Sequence, residues 1–163
     1  MDLAASRARS AAHVPAGIVA RLARAAGLAQ RGLAFLTPAL DFGIRLLVAS
    51  VFFKAGLTKI ASWSSTLLLF EYEYAVPLLP PALAAYLGTA AELSLPVLLV
   101  LGLGTRFAAL ALFVFNIVAV ISYPDLGEVG LKDHQYWGLL LLVTLFHGPG
   151  RLSLDHLIRR RFA

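Results

Sequence analysis

Four apolar segments separated by short polar stretches constrain this chain more than any other feature. They run about Leu40 to Ser62, Ala82 to Leu103, Arg106 to Tyr123 and Lys132 to His147. A helix rising 1.5 Å per residue needs about 20 residues to cross roughly 30 Å of hydrocarbon. The first three segments have that length or nearly so. The fourth is the weakest, because its uncharged core extends only from Gln135 to Phe146. With 60% hydrophobic and 14% charged residues among 163, the chain is too apolar for a soluble domain and too short for several domains. The expected fold class is all-α, an integral membrane antiparallel four-helix bundle with an amphipathic surface helix at its N-terminal side.

The distribution of charge sets the expected topology. Arg7, Arg9, Arg21, Arg24 and Arg31 precede the first segment, Arg106 lies between the second and third, and Arg151, Arg159, Arg160 and Arg161 follow the fourth. The other two connections carry Glu71 and Glu73, then Asp125, Glu128, Lys132 and Asp133. The positive-inside rule puts both termini in the cytoplasm, which needs an even number of crossings. Four satisfy it and three do not. The net charge of +5 is thus a topological signal, and nucleic acid is not an expected partner. Cysteine is absent, which removes disulfides, thiolate metal sites and dithiol chemistry.

Residues 1–38 read as a basic cytoplasmic tail, 39–157 as the membrane domain and 158–163 as a basic cytoplasmic C-terminal tail. Between Ile18 and Leu36, the apolar Ile18, Leu22, Ala29, Leu33 and Leu36 share one helical side and Arg21, Arg24 and Arg31 another. That pattern fits a helix lying in the plane of an anionic leaflet. An Arg-rich amphipathic helix also fits a mitochondrial transit peptide, whereas no compact apolar region with a cleavage site marks a secretory signal.

Charges inside the apolar segments are the candidate functional residues, since an ionisable group at membrane depth faces protein or water. The first segment holds Asp41, Arg45, Lys54 and Lys59. At 100° per residue Asp41, Arg45, Gly56 and Lys59 share a face, with Lys54 nearly opposite, where its ammonium can snorkel. Glu92 lies near the middle of the second segment. Counting depth from the segment ends favours Arg45 as its partner, with Asp41 sharing the arginine as an i,i+4 pair. Pro96 has no N–H for the carbonyl of Glu92, so a free acceptor is expected beside the carboxylate, with Thr89 and Ser94 available to satisfy it. Arg45, Gly56, Lys59, Glu92 and Pro96 are therefore a candidate charge or ligand site. Glu92 serves there either as a structural latch or as a ligand or proton site.

On the other side of the expected bundle, Glu71, Glu73, Asp133 and His134 form a candidate periplasmic docking patch. The neighbouring Tyr72, Tyr74, Tyr123, Tyr136 and Trp137 are ordinary interface anchors. One histidine without a spaced second ligand gives no metal site. His134 and His147 stand roughly 20 Å apart along one helix, which disfavours bis-histidine haem within one chain. No phosphate-binding loop, dinucleotide fingerprint or nucleophile elbow is present.

Three stretches together resemble the DoxX family of small four-span membrane proteins: "RLLVASVFFKAGLTKI" (Arg45 to Ile60), "AELSLPVLLVLGLGTRFAAL" and "HGPGRLSLD" (His147 to Asp155). The matching positions are Arg45, Gly56, Lys59, Glu92, Gly102 and Arg106, with Gly148, Pro149, Gly150, Ser153 and Asp155 in the terminal motif. The resemblance spans about residues 40 to 157, and Lys54 and the basic N-terminal tail lie outside it. "FKAGLTKI" and "DHQYWG" are also similar to a branch associated with copper-binding modified peptides.

The resemblance implies a bacterial inner-membrane subunit of a redox or copper-stress system, with a quinone or lipid-like ligand in the bundle and a lipid bilayer around it. On this expectation Arg45 and Lys59 would bind a carbonyl or anion and Glu92 would relay a proton. A noncatalytic anchor or assembly partner for a membrane or periplasmic protein, including a copper-binding peptide system, is the alternative. A component of small-solute or peptide transport is the third reading.

Overall fold

The structure, a computed structural model, describes residues 16–162. Arg7, Arg9 and His13 of the basic tail lie outside the described residues. Six helices make up the described chain: α1 (Ala16–Ala61), α2 (Trp63–Tyr72), α3 (Pro81–Leu101), α4 (Thr105–Ser122), α5 (Gly127–His147) and α6 (Leu154–Phe162). Contacts divide the chain into two units, 1–37 and 38–163.

The described part of the first unit is the opening of α1. Its Arg21, Arg24 and Arg31 are exposed, and so are Leu22, Leu28, Leu33, Phe35 and Leu36. The chain is helical at every residue from Ala16 to Ala61, including Pro38, where the sequence reading places the end of a separate surface helix.

In the second unit, one apolar core draws on four helices. Val48, Ala49 and Phe52 of α1 meet Leu99 of α3, Ala108, Ala109 and Leu112 of α4, and Leu141 of α5. Small residues on α4 let its neighbours approach closely, as expected where lipid supplies no hydrophobic drive between helices. Phe52 stands edge-on to both Phe115 and Trp137. A second cluster joins Phe70 of α2 to Ala84 and Ala85 of α3. Many leucines, isoleucines and valines of α1, α3, α4 and α5 remain exposed, the outward surface of a protein solvated by lipid.

Three helices are long and apolar enough to cross a membrane: α1 within Val19–Ala61, α3 and α4. Helix α5 has 21 residues, but Glu128, Lys132 and Asp133 in its first turns dilute its apolarity. The segment expected to cross fourth has the length of a span without the composition of one.

One connection differs from the sequence reading. The stretch after the first apolar segment is not a loop: α2 continues the chain as helix, since "WSSTLLLFEY" offers Leu67 and Phe70 for packing on α3. The C-terminal stretch is also helical, as α6. The α3–α4 turn is tight because Gly102 and Gly104 both adopt positive φ, 68° and 56°. Gly102 N–H bonds to Leu99 O and Leu103 N–H to Leu98 O, the pairing that closes a helix with a left-handed residue.

Candidate functional site

Glu92 is buried in the middle of α3, and its partner is Lys59. The lysine Nζ donates to Oε1 at 2.8 Å and to Oε2 at 2.7 Å. The helices are close here because Gly56 has no side chain: a Cβ on it would lie 2.9 Å from Leu93 and 3.1 Å from Glu92 Cβ. The i,i+3 spacing of Gly56 and Lys59 therefore does two linked things, letting α3 approach and delivering a cation to its carboxylate.

This arrangement corrects the expected pairing of Glu92 with Arg45. Lys59, in the last turn of α1, lies level with Glu92 and reaches it directly. The expected sharing of Arg45 by Asp41 is corrected too: the Asp41 carboxylate binds His147 Nδ1 at 3.1 Å. Nor do hydroxyls reach the carbonyl that Pro96 leaves free. Ser94 Oγ donates to Ala90 O at 2.7 Å, and the buried Thr89 Oγ1 has no partner. Helix α3 passes unbroken through Pro96.

The ion pair lies in the wall of a cavity of about 620 Å³. Phe52, Phe70, Leu95 and Phe115 are among the apolar residues around it, and Lys59, Glu92, Tyr74, Ser122, Tyr123 and His134 supply the polar groups. A mostly apolar hollow with a few convergent polar groups is the usual form of a small-molecule site. Lysine has three N–H bonds and two are engaged by Glu92, so the third can meet a ligand oxygen.

Asn116, in the middle of α4, was not singled out in the sequence. It is buried, donates from Nδ2 to the carbonyl of His134 at 2.9 Å, and sets Oδ1 2.7 Å from His134 Nδ1. A lone asparagine in "FVFNIVAV" was the available signal, because an amide inside an apolar span needs partners. His134 is thereby held half-buried against α4, whereas Glu71, Glu73 and Asp133 of the candidate docking patch are exposed. Among the described residues, no group of three or more His, Cys, Asp or Glu side chains could hold a metal ion.

Arg45 and the terminal motif come together elsewhere. Arg45 is 1% exposed. It donates to the carbonyls of Leu99 at 3.1 Å and Val100 at 3.3 Å, and to that of Leu152. The guanidinium thus joins the frayed carbonyl end of α3, which a cation suits, to the segment leading into α6. Asp155 completes the junction. Its carboxylate accepts Gly104 N–H, Thr105 N–H and Thr105 Oγ–H, each at 2.9 Å, and its own N–H binds Gly102 O. An aspartate distant in sequence therefore caps α4. Burial would raise the Asp155 pKa, but the bonds from Thr105 and Gly104, with Arg159 nearby, hold it below the usual value.

Ser153 caps α6 by accepting His156 N–H, and it donates to Gly150 O. A Cβ on Gly102 would collide with Ser153 and Arg45; one on Gly150 would press on Asp41 and one on Gly148 on Arg106. Pro149 is buried in the same segment. Leu152, Ser153 and Asp155 of the terminal segment thus form, with Arg45, a clasp on the α3–α4 turn, and of the candidate ligand site the cavity wall holds Lys59 and Glu92 but not Arg45, Gly56 or Pro96.

A family model described as DoxX matches residues 40–124. An uncharacterized protein of Haemophilus influenzae is 32% identical over 126 residues, covering 72% of this chain and 82% of that protein. No solved structure matches. The matched residues include Arg45, Gly56, Lys59 and Glu92 together, and the chain belongs to the DoxX family of membrane proteins.

Proposed function

We propose that this DoxX-family chain is a multi-pass protein of a bacterial inner membrane, an antiparallel four-helix bundle with both termini in the cytoplasm. In this reading it holds a lipophilic small molecule of the quinone or lipid-like class as a subunit of a redox or copper-stress system. The observation that carries the proposal is the cavity of about 620 Å³ with Lys59 and Glu92 in its wall. Aromatic and aliphatic side chains suit a ring or chain, and the free N–H of Lys59 suits a carbonyl or similar acceptor. Glu92, held by the lysine, is the group in reach of a proton on the same ligand.

The experiment is to purify the protein in mild detergent and identify by mass spectrometry what remains bound, in wild type and in Glu92→Gln. A stoichiometric small molecule that is retained by wild type and lost from the folded variant supports the reading. Wild-type protein that is folded and free of any such molecule overturns it.

A second reading, a noncatalytic anchor or assembly partner, draws on the clasp. Arg45, Ser153 and Asp155 satisfy backbone groups of the chain itself, so that much of the family pattern serves architecture. On this reading the exposed Glu71, Glu73 and Asp133 face a periplasmic or membrane partner, including a copper-binding peptide system. Protein partners retained after purification, without a small molecule, favour it.

A further inference from the structure

Helix α6 is tied at its start to the level where two spans stop. Helices α3 and α4 are long and apolar enough to cross a membrane, and at 21 and 18 residues they match its hydrocarbon thickness, so the turn between them lies at a bilayer surface. Asp155, in the first turn of α6, accepts Gly104 N–H, Thr105 N–H and Thr105 Oγ–H from that turn, and its own N–H bonds to Gly102 O. The helix therefore begins at interface depth.

The rest of α6 is amphipathic and uncovered. At 100° per residue Leu154, Leu157, Ile158 and Phe162 fall within one arc, and Arg159 and Arg160 flank it on either side. Arg161 lies inside the arc, where its long stem carries the guanidinium out past the apolar groups. None of the helix residues is buried, and Leu157 and Phe162 are 58% and 84% exposed. The described chain thus leaves this apolar face open.

Charge identifies what covers it. Arg106, next to Thr105, and Arg151, just before the clasp, are exposed at the same junction, so that with Arg159, Arg160 and Arg161 five arginines gather at one end of the bundle. Among the described residues the ion pairs are Lys59–Glu92 and Asp41–His147, and none of the five arginines is in one. Asp155 spends its oxygens on Gly104 and Thr105. A cationic surface with an apolar arc, set where spans end, matches an anionic bilayer surface in both charge and depth.

We propose that α6 is an in-plane helix that binds anionic phospholipid on the side of the membrane where α3 and α4 join. Leu157, Ile158 and Phe162 enter the boundary of the acyl chains, and Arg159, Arg160 and Arg161 meet the headgroup phosphates. An acidic protein would match the arginines alone, whereas the bilayer matches the arginines, the apolar arc and the depth. The inference is independent of what the cavity holds.

The test places a nitrobenzoxadiazole fluorophore on the exposed end of α6 through Phe162→Cys, in a chain with no other cysteine. The full chain is reconstituted in nanodiscs of phosphatidylcholine alone or with about one third phosphatidylglycerol, each disc containing a lipid with a nitroxide on its acyl chain. Quenching reports the ratio of docked to free helix. That ratio should be at least about fivefold higher in the anionic discs, the worth of one arginine near such a surface. Changing the three arginines together, Arg159→Gln, Arg160→Gln and Arg161→Gln, should bring the two discs to one value with little change in melting temperature, since all three are exposed. The corresponding triple change to lysine should keep the preference, which follows charge. Leu157→Asn with Ile158→Asn should lower quenching in both discs. Equal quenching of the parent protein in the two discs overturns the proposal: if strong, apolar burial alone holds the helix, and if weak, the helix faces water or protein. A preference for the anionic discs that survives in the glutamine variant overturns it as well.

Discussion

Lys59 Nζ stands 2.7 Å from Oε2 of Glu92 with both side chains largely buried, 15% and 7% exposed. Removing one partner of such a pair leaves the other charged and unmatched, which costs more than removing both. Glu92→Gln and Lys59→Met should each destabilise the protein by about 3 kcal/mol, and the double substitution by clearly less than the sum. Thermal unfolding of the four proteins in one detergent checks this. Additive losses would show that the pair carries no coupling.

Gly56 makes a separate prediction about the same contact. Gly56→Leu must push α3 away at Leu93 and Glu92, and overpacking of this kind costs about 1–3 kcal/mol. Gly43 on the same helix has nothing within 4 Å of a Cβ. Gly43→Ala should therefore be neutral or stabilising by up to about 1 kcal/mol, the helix propensity difference. Unfolding curves for the two variants separate close packing from helix propensity.

The sequence showed the helical class, the apolar segments and the positions of the buried charges, because those follow from composition and from the 3.6-residue period. It did not show who pairs with whom. Arg45 and Lys59 share a helix face, and choosing between them required the height of α1 relative to α3. The ends of the apolar segments do not give that height, and the stretch after Ser62 that reads as a loop is the helix α2. The glycines and acid of "HGPGRLSLD" were visible as a motif, but their use was not. Asp155 caps a helix 50 residues earlier in the chain, a relation that no local pattern encodes. Asn116 was legible in principle, as the one amide in an otherwise apolar stretch of α4.

Arg45 should not be replaceable by lysine. Its fork reaches carbonyls of Leu99, Val100 and Leu152, and an ammonium on a different stem cannot span them. Arg45→Lys and Arg45→Met should each lose about 1.5–3 kcal/mol, the range for hydrogen bonds to a charged group. Hydrogen exchange should accelerate first around Leu98–Gly104 and Leu152–Asp155. Uniform acceleration across the chain would argue against a local clasp.

Asp155 gives the clasp an acid limit. Its folded pKa lies below the ordinary carboxyl value, so the folded state favours the ionised form. The stabilisation is complete above the unfolded value, about 3.9, and is lost as pH falls through the lower folded one. Asp155→Asn should be less stable by about 1 kcal/mol at neutral pH, the typical worth of a cap. The gap to wild type should narrow on acidification below about pH 4. Melting temperatures measured across that interval test the sign, and a gap that widens in acid would refute the assignment.

The number of crossings can be read chemically, because a chain without cysteine accepts single reporter cysteines. Glu73 and Asp133 are exposed before α3 and near the start of α5, and Arg106 and Arg151 are exposed at the start of α4 and after α5. Cysteines at Glu73 and Asp133 should react with an impermeant maleimide added to intact cells, whereas those at Arg106 and Arg151 should react only after lysis. The result expected at Arg151 depends on α5, the one long helix among the described residues without a stretch apolar enough to cross a membrane. A charged first turn can remain at the interface while the rest of α5 crosses beside α4, where Asn116 and His134 satisfy each other's polar groups. Labelling of Asp133 and Arg151 from the same side would show that α5 does not cross, and that the bundle has three spans.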